Sequence, residues 1–146
     1  MKITHTMVVM FIGSFLIQYF LMSAVMVESR ADITNSIGKA YMAVIMGISM
    51  VFLEVMMHDQ QYSVCSTNFY VGLTVLFVIF VYLYRNQTAI KDKQYLEAMI
   101  EHHSMALLTS KEILKKTDDY NVAKLAKNII QTQENELKVM RDLVNK

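Results

Sequence analysis

The chain has 146 residues, with 14 Lys and Arg against 13 Asp and Glu, so charge offers no case for a nucleic-acid partner. A single cysteine, Cys65, excludes an intrachain disulfide and any paired-cysteine metal motif. With no proline and only four glycines, strand and turn signals are scarce, which points to an all-α fold.

Charge is unevenly spread along the chain. Residues 1–85 hold four Lys/Arg and four Asp/Glu, whereas residues 86–146 hold ten and nine. That shift places a boundary near Arg85, between a membrane domain (1–85) and a C-terminal helical hairpin (86–146). The first apolar run, Met7–Val27, is long enough to cross a bilayer, which takes about 20 residues. Its length, and the spans that follow, favour an uncleaved anchor over a signal peptide. The second run is Ala40–Met57, and the third covers residues 68–84 and ends at Arg85. Tyr82 and Tyr84 suit the bilayer interface.

Three spans put the termini on opposite sides. The side holding the N-terminus and the 58–67 loop offers only Lys2, while the other offers Arg30, Lys39, Arg85, Lys91 and Lys93. The positive-inside rule then places the C-terminal domain in the cytoplasm or on an equivalent inner face.

Within the second span, Met42, Met46, Met50, Glu54 and His58 recur every four residues. Four residues overshoot one helical turn, so the row drifts, but Met50, Glu54 and His58 nearly share a face. Two readings stand. The row is a track of soft ligands for a metal ion, with an intramembrane site at Met50, Glu54 and His58, or the methionines simply pack helices. Glu54 lies inside the span, where an acid usually has a partner or a task; His58, Lys39 and Gln18 are the options for that partner.

Residues 90–115 and 121–145 read as two helices. Asp118 or Asp119 serves as N-cap of the second, and the short link implies an antiparallel hairpin. The stripe of the first includes Tyr95, Met99, His102, His103, Ala106, Leu107 and Ile113. Met99 and His103 are four apart and can address one point, with His102 on the adjacent flank. Gln133, Glu136 and Met140 share an edge of the second helix, and antiparallel pairing sets them opposite the first cluster. That is a mixed nitrogen, sulfur and oxygen donor set. The alternative is that the two histidines are core or interface residues. No Glu-x-x-His occurs in either helix, against a di-iron carboxylate site, and no His-Glu-x-x-His occurs, against a zinc protease. No catalytic triad is present, and the chain does not read as an enzyme. Two helices in about 55 residues rarely make an adequate core. A bound metal, a second copy, or docking on the membrane part would each supply the missing contacts.

The pattern from Asp92 through Tyr95, Met99, His102 and His103, then Gln133, Glu136 and Met140, resembles the domain of unknown function 305, over residues 88–143. The spans are similar to those of a membrane-bound branch of that family. The resemblance implies a ferritin-like helical half-bundle, and copper binding as in some members. It adds Asp92 to the donor set. One departure is Glu101, which stands where the family usually has proline before the two histidines.

Taken together, the sequence leads to two expectations. The first is an integral membrane protein that binds copper ion, in copper handling or resistance, with Met99, His102, His103 and Met140 as ligands. Asp92, Gln133 and Glu136 would be further ligands or would orient them. The second is a structural membrane protein whose hairpin mediates homo-oligomerisation or partner binding without metal. Both involve the lipid bilayer, and both allow a homo-oligomer through the hairpin.

Overall fold

The computed structural model describes residues 3–145, which are helical throughout apart from short connections and contain no strand. The all-α reading holds. A helical run covers Ile3–Met26: α1 (Ile3–Leu16), one π-helical stretch (Ile17–Leu21), and α2 (Met22–Met26). Then come α3 (Ile37–Tyr62), α4 (Thr67–Arg85), α5 (Asp92–Leu114) and α6 (Tyr120–Val144).

Three of these helices, Ile3–Met26, Ile37–Tyr62 and Thr67–Arg85, are long and apolar enough to cross a membrane. They match the three runs read from composition. Only 6% of the most apolar window of the first and third is buried within the protein, so their apolar side chains face outward. In water that would be an untenable apolar surface; in a bilayer it is the lipid contact.

The residues fall into two compact units, which do not divide at Arg85. One comprises residues 1–21 and 37–89, and the other residues 22–36 and 90–146.

In the first unit, Ile48, Val51, Val55 and Leu73 form the buried core, with Met7, Phe11, Phe52 and Tyr70 packed around it. Gly47 explains how closely α1 approaches α3. A Cβ there would stand 2.8 Å from the Phe11 ring and 3.3 Å from the Phe11 carbonyl oxygen. A small residue at a helix crossing is the usual device where no hydrophobic force draws helices together in lipid. The turn from α3 to α4 is held by Asp59, which is 7% exposed and accepts hydrogen bonds from Ser66 N (2.6 Å) and Ser66 Oγ (2.7 Å).

In the second unit, α5 and α6 form the expected antiparallel hairpin. Asp119 caps α6, accepting from Asn121 N at 2.7 Å and Val122 N at 3.1 Å. This satisfies two of the donors that every helix start leaves open. Ile100, Leu107, Leu137 and Met140 form the core, with Leu96, Met99, Ile130 and Val144 against it. The contacts that two helices alone lack come from Met22–Ser36, the segment joining the first two apolar helices. Two apolar helices lie between Ser36 and Ile90, an even number, so both pieces of this unit emerge on one face of a bilayer.

Candidate functional site

Three side chains hold Met22–Ser36 on the hairpin. Asp32, 1% exposed, accepts from Ser104 Oγ at 2.7 Å on α5 and pairs with the Arg141 guanidinium on α6, with Nε at 3.1 Å. It therefore ties all three pieces of the unit together. Ser104 also accepts from the Glu28 backbone N–H at 2.9 Å, so its hydroxyl is used in both directions. Glu101 accepts from Thr34 N at 2.6 Å and Ser23 Oγ at 3.0 Å. The residue that departs from the usual proline thus anchors the connecting segment. At the rim, Lys111 reaches Glu28 at 2.7 Å and Glu134 at 2.9 Å, and these bonds push its ammonium pKa up.

The helix spacing that gives these contacts also positions the predicted donors. His103 Nδ1 lies 3.2 Å from Glu136 Oε2. In an antiparallel pair, positions whose numbers have the same sum are level. The register that sets His103 against Glu136 therefore sets Met99 against Met140, one turn along. Gln133 lies one turn from Glu136 on the other side. Met99, His103, Gln133, Glu136 and Met140 thus share the α5–α6 seam. His102 and Asp92 do not join them. His102 is exposed, about 100° round the helix from His103, and Asp92 is exposed in the first turn of α5, about 16 Å of helix rise from His103.

Two buried polar atoms in this seam, His103 Nδ1 and Gln133 Oε1, have no hydrogen-bond partner. Glu136 is near enough to His103 for an ion pair, but the pair lacks the angles of a hydrogen bond. Burial pushes the His103 pKa down; the Glu136 charge raises it, and His102 lowers it further. At neutral pH the imidazole is then mainly uncharged, with a lone pair to give. Among the described residues, no three His, Cys, Asp or Glu side chains converge as a metal would require. The seam's donors are instead one imidazole, one amide oxygen, one carboxylate and two thioethers.

The row in α3 does not assemble. His58 turns to Asp59 (3.4 Å) and stacks near Tyr62, with ring centres 4.7 Å apart. Lys39 lies over the Tyr19 ring at 4.8 Å. Glu54 makes no hydrogen bond or ion pair among the described residues, so none of its three expected partners is engaged with it. Met50 instead lines a groove with Met10, Met56 and Met57. Sequence reasoning misses Asp32, Ser104 and Arg141, which organise the second unit. Their only sequence signal is an acid between two apolar runs.

Comparison with known proteins agrees with the resemblance seen in the hairpin. The profile of the family described as Domain of unknown function (DUF305) matches residues 82–144, which include both histidines and the Gln133–Met140 block. An uncharacterized protein of Acanthamoeba polyphaga mimivirus is 33% identical over 136 residues, covering 93% of this chain and 89% of that protein. No solved structure matches. The similarity runs through the apolar helices as well as the hairpin, and the chain belongs to the domain of unknown function 305 (DUF305) family.

Proposed function

We propose that this membrane protein binds a metal ion, copper favoured, in the seam between α5 and α6. The observation that carries the reading is the pair of buried acceptors without hydrogen bonds, His103 Nδ1 and Gln133 Oε1. Leaving such atoms unsatisfied costs roughly 1–3 kcal/mol each, and a bound cation would remove both penalties. The neighbouring donors narrow the choice of metal. Thioethers at Met99 and Met140 disfavour Mg²⁺ and Ca²⁺, and imidazole beside thioether suits copper in either oxidation state. Glu136 would bind the ion or orient His103. His102 and Asp92 have no place in a site confined to one seam. On this reading the protein handles copper at a membrane, and the excess of Lys and Arg puts the second unit on the inner face.

The test is metal content and titration of purified full-length protein with Cu(I), Cu(II) and Zn(II), beside His103→Ala and Gln133→Leu. Stoichiometric copper and a metal-dependent rise in melting temperature, both lost in His103→Ala, are expected. Equal metal binding by wild type and His103→Ala, or none by either, would overturn the reading.

A further inference from the structure

The hairpin has two broad faces, and only one is covered. On α5, Glu101, Ser104 and Lys111 meet the Met22–Ser36 segment. The row turned to α6 (Leu96, Ile100, His103, Leu107) comes next around the helix. Beyond it lies a third row: Tyr95, Met99, His102, Thr109 and Ile113, placed on a three- and four-residue step. On α6, Arg141 and Glu134 lie on the covered side. On the far flank of its buried stripe lies a matching row: Leu125, Ile129, Glu136, Val139 and Leu143. Both rows are on the side of the hairpin away from the segment. Tyr95, Ile113, Leu125, Val139 and Leu143 are between 43% and 60% exposed, and neither row contains a lysine or arginine.

We infer that a second copy of this chain covers this face, pairing two hairpins as a four-helix bundle. Spacing is the first argument. A 3.5-residue step running the length of both helices is the pattern that antiparallel bundles bury. Area is the second. Helices of about 34 Å, two abreast at about 10 Å each, offer roughly 700 Å² per copy, near the ~800 Å² per partner of a specific interface. Charge is the third. The polar members of the face include His102 and Glu136, of opposite tendency, and a twofold interface sets the same patch against itself. A layer of acyl chains would leave Glu136 without a partner.

The pairing would also complete the proposed seam site, and this part rests on that reading. One chain supplies a single seam imidazole, His103, and a single carboxylate, Glu136, which is 51% exposed toward the open face. A second copy brings its own His102 and Glu136 to the rim of that seam.

The experiment uses full-length protein in mild detergent and in nanodiscs, with EDTA so that assembly is scored without metal. Leu125→Glu/Val139→Glu changes the face and no proposed ligand. Wild type is expected to be a dimer by native mass spectrometry, and the double variant a monomer of unchanged helicity. A Cys65→Ser/Leu125→Cys protein should give chain-to-chain crosslinks in membranes, which covers the case in which the charged variant misfolds. Monomeric wild type, or an introduced thiol that reacts with lipid-borne reagents but never with a second chain, would overturn the pairing. Copper titration of the monomeric variant then isolates the shared site. An affinity at least tenfold weaker than wild type supports ligand sharing. Equal affinity overturns sharing without touching the seam site, which His103→Ala tests separately.

Discussion

The two units of this protein are stabilised in opposite ways. The unit built from residues 1–21 and 37–89 buries few side chains and shows most of its apolar surface to the outside. Its helices satisfy their own backbone, the bilayer takes the apolar faces, and close packing is confined to places such as Gly47 against Phe11. The other unit has a narrow apolar core and is fastened by buried polar side chains from three separate stretches of chain. In lipid, little besides shape specifies a helix pair. In water, a buried carboxylate with two designated partners specifies the arrangement, because every other arrangement strands a charge.

The sharpest way to break this contrast is Asp32→Ala. It leaves Ser104 and Arg141 without their acceptor and should cost the second unit about 3 kcal/mol, at the low end for a buried pair because Arg141 is half exposed. Hydrogen exchange should quicken in α5 and α6 and not in α3 or α4; equal quickening everywhere would remove the distinction between the units. The counterpart in the first unit is Gly47→Leu, which drives a side chain into Phe11 and should cost roughly 1–3 kcal/mol, with exchange quickening in α1 and α3 only. Glu101→Gln keeps the shape but weakens the acceptor of Thr34 N and Ser23 Oγ, and a loss of about 1 kcal/mol is expected in urea titration.

A pH measurement sharpens the comparison further. The folded pKa of His103 lies below its unfolded value of about 6.5, mainly through burial. Between those two values the unfolded chain binds more protons, so metal-free protein should lose stability as pH falls from about 6.5 through the folded pKa. His103→Gln should flatten that slope; an unchanged slope would assign it to another group. The smallest effect belongs to Lys111→Met, where an exposed triad is lost. No more than about 1 kcal/mol is expected, vanishing at high salt.

What can be read from the sequence follows from how local each signal is. The three apolar helices and the hairpin are legible because hydrophobic length and three-to-four spacing act within one helix. Asp119 as a cap is legible for the same reason. Membership of Met22–Ser36 in the second unit is not, since its contacts join residues 63 to 109 positions apart. Spacing puts His102 and His103 on adjoining flanks, and only the register against Glu136 separates the seam residue from its exposed neighbour. Glu54 reads as needing a partner and has none among the described residues.

Asp32 also sets a schedule for biosynthesis. It leaves the ribosome long before Ser104 and Arg141, with two apolar helices still to be inserted between them. The second unit therefore cannot close until nearly the whole chain has been made, and in the interval its acidic clasp waits, uncommitted, at the membrane face. A fragment limited to the hairpin would never receive that clasp. Its behaviour would report on two helices, and not on the unit that the complete chain assembles.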